Sequence, residues 1–358
     1  MALCLQVAKK DAQTALAALR ESGAFCGQHE VWREDAFVYL PIRASKKEWA
    51  AKLGFGPVVK KTLQAARKRP KSLRDGLKGV LSQAELESML SSFDVLGDIA
   101  MLEIPGPLVA KQSMIAQVVM RLYPHVKTVV KKTEGTGGPY RIRPVEVVAG
   151  EKKTKTISKE NGCLLAVDLN KAYYNPRMAS ERMRVAAQIK KGENILVLFA
   201  GVGPYAVAAE KKTAANAKPE RIVAIELNPD AAALMRENVR LNKCRKIEVI
   251  EGDVAGILAD AGRHGSRFHS FADRIIMPHP TEALRFLPLA LKAAKAGAII
   301  HLYAFGRAGR AVEDVWGEAQ RIAAKEGYSL ILRTGRVVQT YSPQMEQVVL
   351  DLEVRPLA

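Results

Sequence analysis

The chain has 358 residues, 48% of them hydrophobic and 26% charged, and 55 Lys and Arg against 37 Asp and Glu give a formal net charge of +18. That composition supports packed cores and excludes a mainly disordered, fibrous or collagen-like protein, while the length suits two or three domains. The surplus of cations favours a polyanionic partner such as a nucleic acid, because neutralising phosphates releases counterions and steers encounter. Solubility alone would also account for it.

No apolar stretch approaches the roughly 18 to 20 residues that span a bilayer, and the first residues, MALCLQVAKKDAQ, lack the apolar core of a signal peptide. A cytoplasmic protein with no membrane partner is expected. Cys4, Cys26, Cys163 and Cys244 are far apart with no CxxC pair, and the six histidines form no HExxH. Four reduced thiols and no metal are therefore expected.

In chain order, the pattern predicts a strand at Leu3 to Val7, a helix from Asp11 to about Glu21 and a strand over Val31 to Pro41. Lys60, Lys61, Arg67, Lys68, Arg69 and Lys71 then cluster around Pro70, which fits a solvated helix end, a linker or an RNA-facing edge and sets a first boundary near residue 70. A second α+β segment runs to about residue 170. It holds a helix at Gln83 to Leu90, strands within Phe93 to Ile104, a helix at Leu108 to Tyr123, and strands at Val126 to Lys132, Arg141 to Val148 and Leu164 to Leu169. The glycine-rich loop Gly135 to Gly138 and the basic run Glu151 to Lys159 lie between those strands.

From about residue 171, short apolar strands alternate with helices: Ile195 to Phe199, Ile222 to Glu226, Ile247 to Ile250, Arg274 to Met277 and Ala298 to Tyr303, then a late pair at Ser329 to Val338 and Gln347 to Val354. That rhythm predicts an α/β doubly wound sheet. Asn228-Pro229 opens the clearest helix, with Asn as N-cap and Pro in the first turn. The expected parts are thus 1–70, 71–170 and 171–358.

Phe199-Ala200-Gly201-Val202-Gly203-Pro204 follows the first of these strands. A glycine turn there lets backbone approach a ligand at the carboxyl end of the sheet. Ala206 stands where a dinucleotide fingerprint would place its third glycine. Glu226, ending the second strand, is positioned to accept hydrogen bonds from both ribose hydroxyls of an adenosyl ligand, and Asp253, after the third, to accept from an adenine amino group. Two carboxylates without a pyrophosphate cradle suit S-adenosylmethionine, a cation lacking phosphates, better than NAD. The alternative is that Gly201 and Gly203 only turn the chain while Glu226 and Asp253 cap helices. Phe199, Leu227, Val254 and Pro278 flank these positions and complete the expected cofactor set together with Arg182.

Before the sheet comes Asn175-Pro176-Arg177-Met178-Ala179-Ser180-Glu181-Arg182. Arg, Glu and Arg at this spacing can orient a nucleobase, remove its proton and contact a methionine carboxylate. Taken alone, they read better as a helix start with Glu181 complementing the macrodipole.

Five strings, SFDVLGDIAMLEIP (92–105), KENGCLLAVDLNKAYYNPRMASER (159–182), LFAGVGPYAV (198–207), AIELNPDAAALMRENVRLNK (224–243) and DRIIMPHPTEALRFLPLALKAAKAGAIIHLY (273–303), resemble the archaeal and eukaryotic tRNA guanosine-37 N1-methyltransferase family. The resemblance covers nearly the whole chain and is strongest from residue 92. It implies a class I, Rossmann-like S-adenosylmethionine methyltransferase domain preceded by two smaller α+β domains, the first binding tRNA and the second contacting RNA. By the same resemblance Glu181 is the general base and Arg141 the guanine-positioning arginine, with Arg143 close behind; Arg177, from the spacing above, completes the expected catalytic set. The implied partner is tRNA and the expected state a monomer.

Two positions depart from the family pattern. Val197 stands where the family usually has Asp, and Pro278-His279-Pro280 where it usually has Asn-Leu-Pro. Pro278 offers only its carbonyl near the target base. His279 is the candidate to replace the lost side chain, although a lone loop histidine is more often solvated. Methylation of guanosine 37 is the first reading, and a bifunctional enzyme that also methylates a wyosine intermediate is a variant of it. The alternatives are the related aminocarboxypropyl transferase of wyosine biosynthesis at the same tRNA position and a noncatalytic tRNA-binding relative.

Overall fold

A computed structural model describes residues 1–64, 72–89, 93–133, 138, 140 and 142–357. Contacts divide the chain into two units, Met1–Lys78 and Gly79–Ala358. The expected boundary near residue 70 lies outside the described residues, as do Arg67, Lys68, Arg69 and Lys71 of the basic cluster.

In the first unit, β1 (Ala2–Ala8), α1 (Ala12–Glu21), β2 (Trp32–Arg33), β3 (Phe37–Pro41), α2 (Lys47–Ala51), β4 (Val58–Lys61) and α3 (Leu73–Leu77) follow in order. The four strands form one sheet, ordered β2-β3-β1-β4. Leu5, Val7, Leu19, Val38 and Leu40 share its core. The single strand expected over Val31 to Pro41 is instead a hairpin. Glu34 and Phe37 exchange backbone hydrogen bonds of 2.9 and 3.2 Å across a turn, which folds β2 back on β3. At the end of β4, Lys61 pairs with Glu34 and lies 3.7 Å from the centroid of the Tyr39 ring.

The second unit opens with α4 (Gln83–Ser88), started by a capping box in which Ser82 and Glu85 satisfy each other's backbone donors. Next come β5 (Asp94–Leu96), β6 (Ile99–Leu102), α5 (Gln112–Leu122), β7 (Thr128–Lys132) and β8 (Val145–Gly150), the strands forming a sheet in that order. The run Glu151 to Lys159, read only as a basic segment, contains β9 (Lys155–Glu160), paired antiparallel with β10 (Cys163–Asp168). Thr156 and Ser158 point inward while Lys155, Ile157 and Lys159 are exposed. The period of two was present but carried by polar residues, so hydrophobicity did not reveal it.

The remaining elements are α6 (Ala179–Ala187), β11 (Asn194–Val197), α7 (Pro204–Lys211), β12 (Arg221–Glu226), α8 (Pro229–Leu241), β13 (Ile247–Glu251), α9 (Val254–Ile257), β14 (Ala272–Met277), α10 (Ala283–Ala293), β15 (Ala294–Arg307), α11 (Ala311–Lys325), β16 (Tyr328–Ser342) and β17 (Met345–Pro356). They build a seven-stranded sheet, β13-β12-β11-β14-β15-β17-β16. Its first five strands are parallel and its last two antiparallel. Alternate side chains serve opposite faces. Leu196, Val223, Ile275 and Ile300 join the core beneath α10 and α11, whereas Ile195, Val197, Ala224 and Ile276 join the one under α6 and α7. The doubly wound expectation is met.

Candidate active site

The order of the parallel strands brings the carboxyl ends of β12, β11 and β14 side by side. β11 stops at Val197, and the chain turns through Phe199, Gly201 and Gly203 with φ values of 54°, 57° and 80° before Pro204 opens α7. A Cβ on Gly203 would lie 2.6 Å from Cγ of buried Met235 on α8, so packing and backbone both require glycine there. Around Gly201 the nearest atom to a Cβ would be the Tyr173 carbonyl oxygen at 3.7 Å, which leaves open space on the ligand side.

Glu226 ends β12 beside this turn. Its Oε2 accepts the Gly201 N–H at 2.6 Å and its Oε1 accepts the Asn228 N–H at 2.9 Å. Burial raises its pKa, partly offset by those backbone donors. The Leu227 N–H is a third backbone donor to this carboxylate, and of its four acceptor directions one remains for a ribose hydroxyl. The next side chain, Leu227, is 45% exposed, an apolar surface of the sort an adenine face covers. Asp253, exposed at the end of β13, accepts the Ala255 N–H at 3.1 Å and caps α9. Val254 is buried behind it. Phe199 packs on His279 and Phe286 with ring centroids 5.2 and 5.0 Å away, which places Pro278 and His279 against the same turn. Phe199, Gly201, Gly203, Glu226, Leu227, Asp253, Val254 and Pro278 thus sit along one edge of the sheet, and this donor set fits an adenosyl ligand. Val197 is fully buried and brings no carboxylate.

The Asn175 to Arg182 segment divides its charges differently from the expectation. Asn175 accepts the Arg177 N–H and starts the turn into α6. Arg177 reaches Asp94 on β5 in a bidentate pair, at 3.0 and 3.2 Å from its two oxygens. Arg182, expected at the methionine carboxylate, is 3% exposed and is held by Glu160 on β9, with Nε 2.7 Å from Oε1. Tyr174 donates to the other Glu160 oxygen at 2.5 Å. Arg141 lies outside the described residues. Arg143 stands 3.5 Å from Glu103.

Glu181 is 1% exposed. Its Oε1 accepts from the Tyr303 hydroxyl at 2.7 Å and from Arg184 Nε at 2.9 Å, and its Oε2 pairs with Arg336 of β16. Arg184 continues to Asp351, Asp351 accepts from His301 Nδ1 at 2.6 Å, and His301 Nε2 faces Arg274 Nη1 at 2.7 Å. Arg274 closes the chain on Glu193 at 2.8 and 3.0 Å. Arginine only donates, so His301 Nε2 must accept and the ring proton sits on Nδ1. Burial lowers the His301 pKa and keeps the ring neutral, outweighing the pull of Asp351. Burial alone would raise the Asp351 pKa, yet the hydrogen bonds from His301 and Arg184 hold it well below the usual carboxylate range.

Arg184, His301, Tyr303, Arg336 and Asp351 were missed in the sequence. Only Arg184 left a signal, being one helical turn beyond Glu181. The others are brought in by the sheet. Among the described residues, no group of His, Cys, Asp and Glu is arranged to hold a metal ion, and no helix is long and apolar enough to cross a membrane.

A parallel core with a glycine turn after its first strand and a carboxylate ending the next strand defines a class I, Rossmann-like methyltransferase fold. The profile of the TRM5/TYW2 methyltransferase domain matches residues 156–331 and that of the TYW2 N-terminal domain residues 73–154. The chain belongs to the TRM5/TYW2 methyltransferase family. It is 33% identical to the tRNA (guanine(37)-N(1))-methyltransferase Trm5b of Pyrococcus abyssi over 99% of both chains. The crystal structure of that protein matches 99% of this chain and 100% of its own at 32% identity, with a TM-score of 0.70. The complex of aTrm5 with tRNALeu matches at 27% identity and a TM-score of 0.69, over 98% of this chain and 99% of that one. TYW2 of P. horikoshii in complex with MeSAdo matches at 26% identity and 0.66, over 79% of this chain and 98% of that one.

Proposed function

We propose that this protein is a methyltransferase that moves the methyl group of S-adenosylmethionine to N1 of guanosine 37 in tRNA. The observation that carries this reading is a buried carboxylate, Glu181, fixed between Tyr303, Arg184 and Arg336 in a chain that aligns along its whole length with a guanine-37 N1-methyltransferase. Bound S-adenosylmethionine supplies an electrophilic methyl carbon on a cationic sulfur. Glu226 holds the ribose while Gly201 and Gly203 let the backbone come close. Guanine N1 carries a proton, which Glu181 removes as the ring nitrogen's lone pair attacks. Negative charge then grows towards O6, where Arg141 is the guanidinium expected to meet it. The base must leave the anticodon-loop stack to enter, so recognition rests on phosphates and tRNA shape, for which a net charge of +18 is suited.

The division into a tRNA-binding part to about residue 70, an RNA-contacting part to about 170 and the methyltransferase part beyond belongs to the same proposal, as do a monomeric state and a cytoplasmic location. Incubating the protein with unmodified tRNA and labelled S-adenosylmethionine, followed by nucleoside mass analysis, tests it. A methyl group on guanosine 37 is the expected product. An aminocarboxypropyl addition, or none, would replace the reading with one of its two rivals.

A further inference from the structure

Glu181 Oε1 already accepts two hydrogen bonds, from Tyr303 and Arg184, and Oε2 accepts one among the described residues, from Arg336. The incoming N1–H of a base therefore has one acceptor position on this carboxylate, on Oε2, next to the Arg336 guanidinium. Arg336 is placed there by register. Val349 of β17 pairs with Tyr303 of β15 on one side and with Arg336 of β16 on the other, so all three residues occupy one row across the sheet. The Arg336 side chain is 43% exposed, and among the described residues it uses one N–H, on Glu181, of the five that a guanidinium offers.

Guanine presents N1–H as donor and O6 as acceptor on adjacent atoms of one edge. A carboxylate oxygen with a guanidinium beside it presents the complementary acceptor and donor in the same order. We propose that Arg336 is the residue that reads guanine at this site, donating to O6 while Glu181 accepts N1–H. Adenine reverses both groups, with an amino donor at position 6 and a bare lone pair at N1, and meets repulsion at each. O6 can accept two hydrogen bonds, so a donor from Arg336 leaves one acceptor direction for a second residue. It also supplies a donor to the base where Pro278 has none. This inference rests on the function proposed above.

The test compares native protein and Arg336→Ala on tRNA carrying guanosine or 6-thioguanosine at position 37, since sulfur accepts hydrogen bonds weakly. Arg336→Ala is expected to lower kcat/KM on guanosine by roughly tenfold to a hundredfold while the Kd for S-adenosylmethionine holds; the Tm falls, because buried Glu181 loses one partner, with the chain still folded at the assay temperature. On 6-thioguanosine the native protein is already slow, and the same substitution costs about threefold or less, because the two changes remove one interaction. Equal losses on both bases, an unchanged rate, or a faster rate that marks Arg336 as a plug over Glu181 would each overturn the inference. Native protein that leaves guanosine 37 unmethylated would instead refute the underlying function, a result visible before any variant is made.

Discussion

Glu226 accepts the backbone N–H of Gly201 at 2.6 Å, so the residue that ends β12 braces the turn that follows β11. The same carboxylate shapes the glycine turn and faces the ribose site, which ties cofactor affinity to loop geometry.

Glu226→Gln keeps the side chain's length but turns one acceptor into a donor that opposes a backbone N–H. Losing a charge-assisted hydrogen bond costs about 1.5 to 3 kcal/mol, so the Kd for S-adenosylmethionine should rise roughly tenfold or more. Titration calorimetry on the purified protein reads this directly, and an unaltered Kd would remove Glu226 from the site.

Replacing Glu181 by Gln removes the base but leaves a group that can still meet Tyr303. Methyl transfer should fall by at least about tenfold, at the lower edge of what general-base removal costs or below it. Single-turnover rates with saturating tRNA isolate the chemical step. Cofactor binding should hold, because no described hydrogen bond links Glu181 to Gly201, Gly203 or Glu226. A variant as fast as the native protein across the pH range would disqualify the residue.

Acid should loosen the fold through His301 and Asp351. Both have pKa values depressed in the folded chain. The unfolded chain therefore binds their protons first, and folding loses ground as pH falls. The His301 contribution is complete above its unfolded value of about 6.5 and erodes below it, with a slope approaching ~1.4 kcal/mol per pH unit. That of Asp351 persists to about pH 3.8 and is lost as pH falls through its folded value. Urea unfolding at pH 8, 7, 6 and 5 should show this slope in the native protein and a shallower one in His301→Gln. Parallel pH dependences would place the acid sensitivity elsewhere.

Pro278 and His279 pose a sharper question. His279 packs on Phe199 and lies 3.2 Å from the Thr281 hydroxyl. If it stands in for the missing Asn, His279→Ala should reduce turnover on guanosine 37 more than it weakens S-adenosylmethionine binding. Pro278→Asn should leave the rate intact or raise it, a gain limited to about 1 to 3 kcal/mol of hydrogen bonding to the base. A neutral His279→Ala together with methylation that appears only in Pro278→Asn would favour the aminocarboxypropyl or noncatalytic relative.

The strands of the large sheet, the turn at Gly201 and Gly203, and the Asn228 cap of α8 were all legible in the chain itself. Each follows from residues within a few positions of one another: an apolar run long enough for a strand, two glycines able to take positive φ, an Asn side chain reaching the first N–H groups of its own helix. Local spacing also singled out Glu226, whereas Glu181 was singled out by the family resemblance of its segment. What it left open was their company. Arg182 was expected at the cofactor and is taken by Glu160 of β9, a strand hidden by its polar alternation. Arg336 meets Glu181 across 155 residues of chain, and Asp351 meets His301 across 50. No sequence period encodes such pairs. They arise because β17 enters the sheet antiparallel between β15 and β16, setting Tyr303, Val349 and Arg336 in one row on the face that α6 covers. Burial there leaves each charged group to find a partner or lose its hydration. The sequence thus determined that Glu226 and Asp253 stand at the carboxyl edge of the sheet, and the register of β15, β17 and β16 decided what Glu181 holds.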